Sequence, residues 1–289
     1  MKKLLSLLIV VCVTALFVSC QKDGVYNPSK KISKIITTYQ YDDYSYSYSE
    51  VWKWGKKTLD QISDYDSEGE LDGITYFTYD KNRLSRVQSG SSSYLEYHYD
   101  GSKLATADHY SGGSLYRTYT FTHTNGNITK IEDQRYSNWK SDVDKYDALE
   151  LVLGKDLAQI VNKSVQKHDA KNGSKGTSKY VYDLTWKNGN VIKVEISEET
   201  DPTWKETLDA EYDTYNNPLC GYFWNGASGA VNHSKNNIVK VTYTETELNE
   251  IDIDTYTYQY TYDGKYPKTR RVIYSDGDSG AQQTYEYTK

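Results

Sequence analysis

The sequence predicts an all-β protein: an antiparallel meander of repeated hairpins, curled into a half-barrel or a closed soluble barrel, with a short helical insertion near 140–178. Three observations carry that expectation. Aromatic residues alternate with small polar ones along many segments, the period-2 signature of strands with one semi-apolar face. Asn-Gly and Asp-Gly pairs, which tolerate the positive φ of tight hairpin turns, sit between those segments. The alternation stops once, over 140–178, where apolar residues recur at helical spacing instead.

The first element is not part of the fold. Met1-Lys2-Lys3 leads into an apolar run over 4–18 that closes at Ser19-Cys20, the order of a secretory signal. The run is shorter than the roughly 20 residues a spanning helix needs, and polar Gln21-Lys22-Asp23-Gly24 follows at once. Residues 1–19 are therefore expected to be removed, with 20–30 as a flexible tether and 31–289 as the folded domain. Val18-Ser19-Cys20 resembles the lipobox of bacterial lipoproteins, with Phe17 where that family prefers leucine. The resemblance implies lipid on Cys20, and two or more acyl chains hold firmly at about 0.8 kcal/mol per buried methylene. Gln21-Lys22-Asp23 resembles the lysine-plus-acid signal of surface-exported Bacteroidetes lipoproteins, with Gly24 in place of a second acid. That resemblance implies an outer-membrane, lipid-anchored protein at the cell surface, the periplasmic face remaining open. Cys12 leaves with the signal and Cys20 is acylated, so Cys220 alone keeps a thiol and a disulfide within the mature chain is excluded.

One hairpin unit then recurs. It has an aromatic alternation, a polar turn, an aliphatic residue five positions after the last aromatic and a second aliphatic three further on. Tyr79 with Leu84 and Val87, Trp54 with Leu59 and Ile62, Trp186 with Val191 and Val194, and Tyr99 with Leu104 and Ala107 are copies. Phe121 with Ile128 and Ile131, and Tyr212 with Leu219, read as copies with a turn two residues longer, and Tyr262 opens a last one degraded by Pro267. Alternation assigns faces: Tyr256, Tyr258, Tyr260 and Tyr262 share one, as do Tyr44, Tyr46 and Tyr48, and Ile192, Val194 and Ile196 are expected to line one face of a return strand. A lipid-facing barrel would need Leu, Val and Phe at alternate positions over about ten residues per strand. Here Tyr, Thr and Ser run the full strand length, Tyr 31 against Phe 4, and mean hydropathy is -0.79, so the outer face is expected to meet water. Within the insertion, Leu149, Val152, Leu153, Leu157, Ile160 and Val161 predict one or two short helices interrupted at Gly154, followed by a mobile loop over 171–176.

Tyr79-Asp80, Tyr99-Asp100 and Tyr262-Asp263 resemble the tyrosine-aspartate repeats of large wound-sheet bacterial proteins. More closely, residues 31–289 resemble a Bacteroidetes lipoprotein family whose domain of unknown function is described as porin-like. Asn217-Pro218-Leu219, Tyr222 to Trp224 and Ser234-Lys235-Asn236-Asn237-Ile238 carry that likeness. It implies a fold and brings no activity with it.

A formal net charge of -6 and pI ≈ 5.5 exclude a nucleic-acid partner, which needs a concentrated basic surface. His98, His109, His123, His168 and His233 are scattered without metal-ligand spacing, so no metal and no cofactor is assigned. His98 and His123 read as exposed strand or turn residues. Acids at 64, 66, 68, 70 and 72 and at 276 and 278 lack the calcium-loop pattern and read as turns. Nucleophile elbows and phosphate loops do not occur in the sequence. Trp52, Trp54 and Trp186 belong to the repeat and are expected to pack the sheet, whereas Trp139, Trp204 and Trp224, with Tyr222, fall in connections and are the candidate ligand-binding residues. The function expected is non-catalytic binding of a glycan or an envelope protein. A structural envelope scaffold is the first alternative, and a hydrolase with dispersed residues, which needs a cleft holding a histidine or a carboxylate pair, is the second.

Overall fold

The computed structural model describes residues 30–41, 43–56, 58–81, 83–90, 92–136, 147–172, 177–220, 234–247 and 250–288. Sixteen antiparallel strands form one closed barrel in which each strand pairs with its neighbours in sequence and the last pairs with the first. They are β1 (Ile32–Gln40), β2 (Ser45–Trp54), β3 (Leu59–Tyr65), β4 (Leu71–Asp80), β5 (Arg83–Ser89), β6 (Ser93–Asp100), β7 (Lys103–Ser111) and β8 (Ser114–Thr124). The second half comprises β9 (Asn127–Arg135), β10 (Ser178–Lys187), β11 (Asn190–Glu198), β12 (Lys205–Asn216), β13 (Asn236–Glu247), β14 (Glu250–Asp263), β15 (Tyr266–Ile273) and β16 (Ser279–Tyr287). Two helices, α1 (Ala148–Leu153) and α2 (Lys155–Asn172), lie between β9 and β10.

The repeat has a physical cause in the register. On β5, Thr78 opposes Arg86 but Tyr79 opposes Leu84, leaving Ser85 as an extra bulged residue. The bulge is why Leu84 and Val87, three apart rather than two, both point into the barrel and are buried. The same shift occurs at Lys53/Trp54, His98/Tyr99, Thr122/His123 and Thr185/Trp186. On β11 it makes Ile192 the bulged residue, so Val191 joins Val194 and Ile196 inside and the expected Ile192 face is corrected. Among the described residues three of the turns, Gly112-Gly113, Asn125-Gly126 and Asn188-Gly189, have positive φ at both residues, the conformation that matches the twist of paired strands.

Each bulge interrupts the ladder, and a carbonyl there is met by the aromatic of the following hairpin. Trp54 Nε1 donates to Ile32 O, Tyr79 OH to Leu59 O, Tyr99 OH to Leu84 O and Trp186 Nε1 to Ile128 O. Tyr212 OH, Tyr260 OH and Tyr287 OH do the same toward Val191 O, Ile238 O and Pro267 O, and His123 Nε2 lies 2.8 Å from Leu104 O. These contacts run completely around one end of the barrel. Two expected copies are corrected by this geometry. His123, read as an exposed turn residue, is half-buried in the anchor position and pairs with Ile128, so that hairpin has no longer turn. Tyr212 pairs with Ile238 rather than leading to Leu219, because β12 continues to Asn216 before its connection. Closure uses the same device: Ile32 opposes Tyr287 and Lys34 opposes Glu286, so the two chain ends make a further repeat without a turn.

The wall facing outward carries charge in strand after strand, in pairs between neighbouring strands such as Arg86–Glu96, Lys179–Glu132 and Lys240–Glu211 and in pairs along one strand such as Lys193–Glu195. A single Lys or Arg costs about 2–4 kcal/mol at the midplane of a bilayer. Such a wall is built to stand in water.

Gly154 (φ 82) separates the helices, as the spacing predicts, and its N–H donates to Glu150 O. All six residues of α1 are buried, and Leu157, Ala158, Val161 and Val165 form the buried stripe of α2. Charged residues of the helices meet partners on β2, β9, β11, β13 and β15, strands on every side of the barrel, so the helices occupy its lumen. Lys171, expected in a mobile loop, belongs to the last turn of α2, while 173–176 lie outside the described residues.

Candidate functional site

The helical plug is seated on a buried ion network. Arg117 on β8 grips Asp133 with Nε and Nη2, at 2.7 and 2.8 Å, and reaches Asp147 Oδ2 with Nη1 at 2.9 Å. Arg135 bridges Asp133 and Asp169 of α2, at 3.0 and 3.1 Å. Asp147 is also the N-cap of α1, accepting from Leu149 N, and it accepts from Tyr119 OH and Asn162 Nδ2. Against the opposing effect of burial, Arg117 and Arg135 hold the Asp133 carboxyl below the usual range, and Arg117, with the Leu149 N–H and the Tyr119 hydroxyl, does the same for Asp147. None of these residues has a signature in the sequence, since the partners are joined only by barrel closure and the return of the insertion.

The plug leaves room on one side. Between the N-terminal turn of α2 and strands β1, β2, β15 and β16 lies a cavity of about 290 Å³. Tyr39, Tyr48 and Tyr274 wall it, and Lys155, Asp156, Gln159, Arg270 and Gln283 form its polar lining. It lies beside the β1–β2 and β15–β16 connections, at the end of the barrel where the insertion enters. Outside it an aromatic ladder continues: Tyr39 stacks on Tyr46 at 5.0 Å, Tyr41 on Tyr44 at 4.7 Å, and Tyr256 meets Tyr274 edge-on at 5.9 Å. Tyr44 and Tyr48 are exposed there.

The polar lining is electrically balanced. Lys155 Nζ sits 3.0 Å from Glu50 Oε1, and Arg270 Nη2 is paired with Asp156 Oδ1. Arg270 Nη1 donates to Gln283 Oε1 at 2.9 Å while its guanidinium lies over the Tyr258 ring. Burial pushes the Tyr39 phenol up, and a hydrogen bond with Tyr41 is the main reason Tyr46 is pushed up to about 12. Neutral hydroxyls and matched ion pairs suit an uncharged ligand rich in hydroxyl groups: ring faces for its apolar side, and Arg, Asp and Gln for its oxygens.

Neither comparison with protein families nor comparison with curated proteins finds a match for this chain. Among solved structures, a porin-like protein from Bacteroides uniformis ATCC 8492 superposes with a TM-score of 0.52 at 11% identity, covering 90% of this chain and 99% of the other. A porin-like protein from Bacteroides vulgatus ATCC 8482 gives 0.53 at 10%, with the same coverage. The barrel has the porin-like fold. At such identity the likeness concerns the fold alone, and it agrees with the fold expected from the repeat.

Within this porin-like barrel the expected binding residues fare differently. Trp204 is fully buried, stacked on His168 with centroids 4.0 Å apart and edge-on to Tyr180, so it is corrected from ligand contact to packing at the end of the plug. Its place in a connection looked exposed because the helix that covers it is remote in sequence. Trp139, Tyr222, Trp224 and Cys20, the residue expected to carry lipid, lie outside the described residues. Trp52 is buried and Trp54 and Trp186 pack on the core, as the repeat requires. The acids from 64 to 72 do not converge: Asp64 is buried, whereas Asp66 caps its own turn by accepting from Glu68 N and Glu70 N. Asp276 likewise accepts from Asp278 N. Cys220 is half-buried, and burial pushes its thiol up to about 11.

The sequence pattern does not reveal the cavity: of its tyrosines only Tyr48 was legible, as part of one face of β2, whereas Tyr39 of β1 and Tyr274 after β15 carried no signal. What could have marked it is the insertion: helices of limited length cannot fill a lumen of this many strands, because sixteen-strand barrels are wide.

Proposed function

We propose that this protein is a lipid-anchored component of the cell envelope that binds a neutral glycan, without catalysis, in the tyrosine-walled cavity beside its plug. The observation that carries the reading is the pairing of exposed, stacked tyrosines with a lining of neutralised ion pairs at one mouth of the barrel. Asp156, the carboxylate of that lining, is committed to Arg270, which argues for recognition rather than acid–base chemistry. The chain enters the barrel at the opposite end, where Lys30 pairs with Asp263 beside the Gly264 turn. The segment from Cys20 to that point can extend roughly 35 Å. An anchor on Cys20 would thus hold the barrel with the cavity directed away from the membrane.

Mature protein is expected to retain neutral oligosaccharides on a glycan array, and the combined Tyr39→Ala, Tyr48→Ala and Tyr274→Ala variant to bind at least about tenfold more weakly, the loss of roughly 1.4 kcal/mol. Retention of no glycan, or unchanged binding by the variant, would sink the reading. Loss in a Trp139→Ala, Trp224→Ala variant instead would move the site to the connections. For the anchor, Cys20→Ser is expected to release the protein from the membrane fraction and to abolish fatty-acid labelling; a variant as firmly membrane-bound as wild type would refute it.

A scaffold role is favoured by one separate observation. Ile251 and Ile253, at the start of β14, are 66% and 59% exposed on the outer face, an apolar pair suited to a protein neighbour. Such a neighbour would crosslink at that edge whatever carbon source the cells were given.

A further inference from the structure

We infer that His168, Glu198 and Asp201 form a binding site for a divalent transition metal, zinc being the ion that suits the donor set. The three side chains come from the last turns of α2, the end of β11 and the β11–β12 connection, and their ligand atoms all lie within 4.8 Å of one another. His168 Nε2 is already 2.8 Å from Glu198 Oε2. A histidine–glutamate pair alone would serve to close the plug against the wall, but the third donor, Asp201, has no part in such a closure.

Each ligand is also held in place from behind, as metal ligands generally are. The His168 ring is buried between Trp204, stacked at 4.0 Å and 19°, and the edge of Tyr180. Glu198 Oε1 accepts from Thr200 Oγ1 at 2.8 Å, leaving Oε2 for the site. Asp201 Oδ1 accepts from Thr203 N at 3.1 Å and Thr203 Oγ1 at 2.6 Å. One imidazole and two carboxylates make a nitrogen–oxygen set with coordination positions left over, matched to zinc rather than to the soft ions that thiolates select. The site is separate from the glycan cavity: thirteen residues of helix from Lys155 to His168 span about 20 Å. A bound ion would tie the end of the plug to the barrel wall there.

The test is calorimetric titration of metal-stripped mature protein with zinc chloride, alongside copper quenching of tryptophan fluorescence. Wild type is expected to take up one equivalent saturably. Asp201→Asn and His168→Asn should each weaken binding at least tenfold, while His98→Asn, altering an exposed histidine beside Asp108 on the outer wall, should leave it unchanged. Copper quenching should shrink in Trp204→Phe, whose ring stacks on the ligand. Asp201 is half-buried at the surface, so its variant keeps the fold even if His168→Asn does not. Failure to bind zinc saturably, or binding that survives Asp201→Asn, would overturn the assignment.

Discussion

Replacing Asp147 by alanine is expected to destabilise the barrel by about 3–5 kcal/mol, the cost of stripping one partner from a buried ion network. The size follows from how much converges on one carboxylate. It accepts from Arg117 Nη1, Tyr119 OH, Leu149 N and Asn162 Nδ2, joining wall, α1 and α2. Removing it leaves the buried Arg117 with Asp133 as its remaining carboxylate, leaves α1 without its N-cap and leaves Asn162 unseated. For a chain of this size each kcal/mol is worth about 2–4 °C, so thermal unfolding should shift down on the order of 10 °C. A shift below about 2 °C would mean that the plug is seated by apolar packing and that the network is incidental.

Stability is expected to fall as pH rises from mildly acidic toward 7, and Glu206→Gln is expected to flatten that fall. Burial pushes Glu206 up to about 7 and Glu150 up to about 8, against the favourable pull on Glu206 of the neighbouring Tyr243 and Trp204 donors. A carboxyl raised on folding binds its proton more tightly in the native state. Its contribution is complete below the unfolded value, about 4.3, and is lost as pH rises through the folded one, at up to about 1.4 kcal/mol per pH unit for each group. Asp133 and Asp147 act with the opposite sign. Their depressed values give stability that is complete above about 4 and is lost as pH falls through the folded values. The transition temperature of wild type should therefore peak where the two limbs cross, near the unfolded carboxyl values at about pH 4. Thermal melts carried from well below pH 4 up to pH 9 read both limbs, and a Glu206→Gln profile identical in slope to wild type would show that this carboxyl is ionised in the fold.

Much of this barrel was readable residue by residue because its unit is local. A hairpin is specified by alternation and turn chemistry within some twenty positions, so Tyr79, Leu84 and Val87 reveal themselves, and even the bulge is written as a spacing of three. Gly154 was legible for the same reason, since a break between helices is a backbone event. Where one chemical role passed to a different residue type, the pattern hid it: His123 took the aromatic anchor, and Pro267 stood where an aliphatic was expected.

The amino-acid order alone thus determined the strand class, the orientation of most alternating faces though not that of Ile192 on β11, the position of the helical insertion and the polar character of the wall, because these depend on neighbours within a few residues. Only the tertiary structure decided that β1 meets β16, that the insertion turns inward to plug the lumen, and that Trp204 is covered by His168. It alone brought Arg117 to Asp147, Glu198 to His168 and Tyr39 to Tyr274. Those meetings are set by how many hairpins complete the circle and by which way a long connection folds, and no local preference encodes either.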